Sequence, residues 1–159
     1  FFFNDTATTD IYTILSSAAS DVYKRQLLRN EGHDAVHARH RRVAAMVHAA
    51  VARWGEAGAL ALHVTEPAER STSVTTISVA DGVDVEALRL TARDRYQVAV
   101  AGGLGPHAGR MFRIGHLGAV HPGMILGALG GVEAALRDCG IAIGDGALQC
   151  AVEAARESD

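Results

Sequence analysis

From Gly32 to Trp54, residues fit for burial return every three or four positions: Val36, His40, Val43, Val47, Ala50 (or Val51) and Trp54. That spacing is the signature of one helix with one apolar stripe. Arg39, Arg41, Arg42 and Arg53 occupy its other faces, and Gly55 supplies a stop. A helix of this length cannot bury its stripe alone, so the rest of the chain has to provide the opposing layer.

The sequence that follows offers short strands and three more helices. Leu60–Val64 reads as a strand. "TEPAERSTS", with Pro67, reads as a loop. "VTTISVA", 74–80, alternates and is β-branched, which predicts a second strand. Asp81-Gly82 makes a turn, and Asp84 is an N-cap for a helix through Arg95 with Val85, Leu88, Ala92 and Tyr96 on its stripe. "QVAVAGG" predicts a strand ending at glycines, and Arg110–Gly118 another. Pro122 suits the first turn of a further helix carrying Ile125, Leu129, Val132 and Leu136. Gly127, Gly130 and Gly131 lower its helix propensity by roughly 1 kcal/mol each, so they are expected to admit another backbone closely. Asp145–Glu153 predicts a last short helix. This order implies an α+β fold, a small antiparallel or mixed sheet with helices over one face.

Composition breaks sharply near residue 26. Phe1, Phe2, Phe3, Tyr12 and Tyr23 hold most of the aromatic content, and Lys24 is the only lysine of the chain. The leader "FFFNDTATTDIYTILSSAASDVYKRQ" is similar to the conceptual translation of short-read sequencing adapters, with Asp10 where glutamate is usual. It lacks the basic and apolar regions of a signal peptide. Residues 1–26 are therefore expected to be a non-native, disordered leader, and residues 27–159 one domain.

The formal net charge is −3, which gives no basic footprint for nucleic acid. No apolar run approaches the ~20 residues of a membrane span. Cys139 and Cys150 are too few for a disulfide framework, consistent with a reducing, cytoplasmic setting. His33, His37 and His40 could share a helical face, yet no Cys or carboxylate completes a zinc set, so no metal is expected. "AGGLGPHAG", 101–109, lacks the spacing and the following helix of a phosphate cradle. It suits a sharp turn that lets a ligand or a second domain approach.

Arg113 stands among Phe112, Ile114 and Leu117, and a buried guanidinium needs a partner. Two readings remain open on residues alone. One is an internal ion pair with Asp94 or Glu133; the other is a bidentate clamp on a ligand carboxylate.

"EGHDAVHARHRRVAAMVHAAVARWG", "SVTTISV", "AGGLGPHAGRMFRIGHLG" and "GMILGALGGVEAALRDCGI" occur in that order. Together they resemble the C-terminal small domain of the class V aminotransferases that use pyridoxal 5'-phosphate, in the alanine–glyoxylate and serine–glyoxylate group. The resemblance implies transamination between an amino acid (alanine or serine) and glyoxylate or another 2-oxo acid. It implies that Arg113 binds the substrate carboxylate, and that Gly102, Gly103, Leu104 and Gly105 form an active-site loop. The cofactor and its Schiff-base lysine would belong to a large domain missing here, because residues 27–159 contain no lysine. On that footing this chain is a fragment with no catalytic residue of its own, inactive alone, and homodimeric when intact. Two other functions stay in view: a desulfurase or lyase of the same class, and a non-catalytic α+β interaction domain.

Overall fold

The computed structural model describes residues 11–157. Two compact units divide the chain, residues 1–38 and 39–159. In the first, helix α1 spans Ile11–Glu31. The expected disordered leader is thus helical from Ile11, while residues 1–10 lie outside the described part. The reason is local: between Ile11 and Glu31 there is no Pro or Gly, and Ala, Leu, Lys, Arg and Gln favour helix. Every residue from Asp21 to Glu31 is exposed.

The second unit holds the sheet. Helix α2 (His33–Gly55) runs into it, and strands β1 (Leu60–Leu62), β2 (Val74–Val79), β3 (Ala101–Gly102) and β4 (Met111–Gly115) follow. Helices α3 (Val85–Tyr96), α4 (Pro122–Asp138) and α5 (Ala147–Glu157) complete it. All strand pairs are antiparallel, in the order β1-β2-β4-β3. β2 and β3 are therefore parallel, joined through α3, with β4 inserted between them.

One face of the sheet carries Leu60, Thr75, Ile77, Phe112 and Ile114, all buried. Phe112 sits opposite Ile77 and Gly102, and Ile114 opposite Thr75. Against this face lie Val43, Val47, Ala50, Val51 and Trp54 of α2, Leu88 of α3, and Leu129 and Val132 of α4, in one core. The stripe expected on α2 is buried from His40 to Trp54. Trp54 also donates its indole N–H to Glu133 Oε2 at 3.0 Å. The other face carries Ala61, Thr76, Ser78, Ala101, Arg113 and Gly115, each exposed or half-exposed.

Capping follows chemistry. Asp84 accepts from the Ala87 amide at 2.9 Å, and Pro122 occupies the first turn of α4. Three expectations needed correction. The QVAVAGG strand shrinks to Ala101–Gly102: Val98 and Val100 pack on the core, and the Val100 carbonyl accepts from Arg89 Nε. The Arg110–Gly118 strand is confined to Met111–Gly115, and Leu117 lies in the loop beyond it, 70% exposed. Of Gly127, Gly130 and Gly131, only Gly131 is under pressure, and from side chains rather than backbone. A Cβ there would meet Val98 Cγ2 at 2.6 Å and Tyr96 Cβ at 3.3 Å, whereas Gly127 faces open space.

Candidate functional site

Strand parity decides where Arg113 points. Phe112 and Ile114 face the helices, so Arg113 projects from the opposite face, beside Thr76 on β2 and Ala101 on β3. It is half-exposed there, so the penalty expected for a buried guanidinium applies only in part. Its Nε donates to the Gly102 carbonyl at 3.0 Å, which turns the side chain toward β3 and the glycine loop.

Among the described residues no carboxylate pairs with Arg113. Both candidates from the sequence are engaged elsewhere. Asp94 accepts from Arg93 at 2.6 Å, and Glu133 accepts from Trp54 and Arg137. The two terminal nitrogens of Arg113 keep their donors, which is the fork that a carboxylate matches in a bidentate pair.

The loop after β3 is built around this fork. Gly103 N donates to Met111 O at 2.9 Å, and a short 3-10 turn, Gly105–His107, returns the chain to β4. A Cβ on Gly103 would lie 2.1 Å from the His107 carbonyl oxygen, so no side chain fits without the loop opening. Leu104 at its tip is 69% exposed. Gly103→Ala is expected to cost about 1–3 kcal/mol through this overlap. Gly115→Ala, which meets open space at an ordinary φ, should stay within about 0.5 kcal/mol. Urea unfolding of both variants checks the pair, and equal effects would contradict the geometry.

Sequence reasoning missed what anchors the other end of β4. His116 is fully buried. Its Nδ1 lies 3.1 Å from the Thr72 carbonyl, which can only accept, so Nδ1 carries the proton. Its Nε2 then accepts from the Thr75 hydroxyl at 2.9 Å. Burial pushes this imidazole down to about 4, against the partial support of the Thr72 hydrogen bond, and His48 and His40 add to the downward shift. Beyond it, the Gly118 amide donates to His40 Nε2 at 3.1 Å, and Arg39 donates to the carbonyls of Gly118 and Val120. The signal was present in parity: positions 112, 114 and 116 share a face.

Among the described residues no three His, Cys, Asp or Glu side chains converge as metal ligands. Nor is any described helix long and apolar enough to cross a membrane.

No protein-family model matches the chain. It is 46% identical over 115 residues to the serine–glyoxylate aminotransferase of Hyphomicrobium methylovorum, covering 72% of this chain and 27% of that protein. It is 40% identical over 113 residues to the L-aspartate–glyoxylate aminotransferase of Paracoccus denitrificans, covering 71% and 28%. The crystal structure of pyridoxamine–pyruvate aminotransferase from Mesorhizobium loti superposes with a TM-score of 0.77 at 32% identity, over 84% of this chain and 34% of that one. The chain thus spans little more than a quarter of the length of these curated relatives.

Proposed function

We propose, on the premise that the chain belongs to the class V aminotransferases, that it supplies the substrate-carboxylate site of a pyridoxal-phosphate-dependent transamination. The reaction moves an amino group between an amino acid, alanine or serine, and glyoxylate or another 2-oxo acid. The observation that carries this reading is the Arg113 fork, free of internal carboxylates beside the Gly102–Gly105 loop. In this role Arg113 holds the substrate carboxylate and thereby fixes the orientation of its α-carbon, and the loop keeps bulk away from the bound acid.

The residues around Arg113 do not fit the cofactor itself. Residues 27–159 offer no lysine, and Lys24 is exposed on α1. The cofactor and its lysine are therefore assigned to a large domain outside these 159 residues, and the chain alone is assigned no turnover. Exposed Leu104 and Leu117, which flank the ends of β3 and β4, suit coverage by that domain. A cytoplasmic homodimer belongs to the same reading. The desulfurase or lyase alternative is disfavoured, because Cys139 ends α4 with its Sγ 3.6 Å from Thr91 Oγ1 and Cys150 lies within α5.

The test is titration of the chain with L-serine, glyoxylate and acetate, followed by amide NMR. Millimolar carboxylate is expected to move the Gly102–Gly105 amides. Arg113→Gln should weaken that response about tenfold or more, the worth of a charge-assisted hydrogen-bonded pair. Responses confined to other residues, or unchanged in Arg113→Gln, would sink the assignment. Stable binding of pyridoxal phosphate by residues 27–159 alone would overturn the placement of the cofactor.

A further inference from the structure

A second cation of this unit is unused by the carboxylate site. Arg70 follows the 3-10 turn Pro67–Glu69 and folds back over the end of β1. Its Nε donates to Val64 O at 3.0 Å and its Nη2 to Thr65 O at 2.8 Å. Two backbone carbonyls thus fix the guanidinium in place without neutralising it. Among the described residues no carboxylate pairs with Arg70. Glu66 instead caps the turn by accepting from Ala68, and Glu69 makes no ion pair.

Arg70 lines a cavity of about 120 Å³ with His48, Ser71, Thr75 and Thr76. At roughly 30 Å³ per water, that is room for about four waters. His48 comes from α2 and has no hydrogen-bond partner among the described residues. Its contacts are an edge-on ring 6.3 Å away, His116, and the electrostatic field of Arg70. Burial and the Arg70 charge both push the His48 imidazole below its ordinary range. The titratable and charged groups facing His48 are therefore Arg70 and His116, with Glu69 at the rim of the same cavity. One fixed cation, Arg70, and an imidazole disfavoured as a cation, His48, thus face a small cavity that Leu62, Val64 and Val74 also line, with Glu69 as its one carboxylate.

We propose that this cavity binds a small tetrahedral oxyanion of the phosphate class, held by the remaining donors of Arg70, by the imidazole of His48 and by the Ser71 hydroxyl. A dianion neutralises Arg70 and also favours protonation of His48, which a monocarboxylate does less. The volume admits a free oxyanion. Glu69 opposes the ligand and limits its affinity.

The experiment follows the His48 ring resonances of the full chain against pH, in inorganic phosphate, in acetate and in chloride at one ionic strength. Phosphate is expected to raise the His48 midpoint by about one pH unit, as an opposite charge within 4–6 Å does. Acetate should raise it less. Glu69→Gln should strengthen phosphate binding about threefold or more, by removing a like charge at the rim. Arg70→Gln should abolish the phosphate effect. The wild-type titration and Glu69→Gln need no disruptive change, so the proposal stays testable if Arg70→Gln fails to fold. It is overturned if chloride and phosphate give the same His48 titration, if acetate matches or exceeds phosphate, or if Glu69→Gln weakens binding.

Discussion

Phe112→Ala is expected to destabilise the chain by about 3–5 kcal/mol, the usual cost of deleting a fully buried aromatic ring. Phe112 has no exposed surface, stands opposite Ile77 and Gly102 at the centre of the sheet, and joins the core made by α2, α3 and α4. Domains of this size hold about 5–15 kcal/mol in total, so the loss is a large share of what is available. The consequence reaches the site, because Arg113 takes its direction from the two core residues beside it. With Phe112 truncated, nothing but Ile114 and the ladder fixes the face on which the guanidinium emerges. Phe112→Leu, which keeps most of the volume, should lose clearly less and retain the carboxylate response of the Gly102–Gly105 amides. Urea unfolding measures both variants. A loss below about 1 kcal/mol for Phe112→Ala would mean that the site is not supported in the way described.

The elements written in short-range spacing were legible before any coordinates. Trp54, Val47 and Val43 announce the stripe of α2, Asp84 announces the start of α3, and Pro122 that of α4. What escaped was decided across the chain rather than along it. Val98 and Val100 show the alternation of a strand, yet alternation reports burial on one side and says nothing of a pairing partner. β3 keeps two residues, and the carbonyl of Val100 just before it accepts from Arg89 Nε at 3.1 Å. The adapter-like leader reads as unstructured by composition, but local propensity is enough to wind it from Ile11 onward.

The candidate site was legible in its chemistry and only half in its geometry. Arg113 could be singled out as a cation among apolar neighbours, and two candidate internal partners, Asp94 and Glu133, could be named. Which of the two readings holds depends on where Arg93 and Arg137 place their own charges, a long-range matter that spacing does not reveal. The histidines were least legible. Eight of them pointed to no metal and left surface and packed roles undivided, and the one that matters most to the sheet is a neutral hydrogen-bonded core residue. Imidazole is apolar enough to bury and polar enough to tie two strands, so composition cannot separate these roles.

His116 makes the chain acid-sensitive in a window where few carboxylates titrate. Unfolded, its imidazole takes a proton near the ordinary 6.5; folded, it resists until about 4. Between those values the unfolded chain binds more protons, so stability falls as pH falls. The contribution is complete above about pH 6.5 and gone at about pH 4. At about 1.4 kcal/mol per pH unit it amounts to something on the order of 3 kcal/mol. His48, also lowered by burial and by Arg70, adds in the same direction. Asp94, held down by Arg93, is lost only at still lower pH and is fully exposed. His116 joins Thr72 and Thr75 at the entry of β2 to the end of β4, so protonation there loosens the strand that presents Arg113. Urea midpoints measured from pH 7 to pH 4 should therefore decline steeply. In His116→Gln the midpoint starts lower, yet its slope against pH should be much flatter, while His48→Gln keeps most of the slope. A wild-type midpoint that stays level across this range, or a slope that survives in His116→Gln, would show that the proton goes elsewhere.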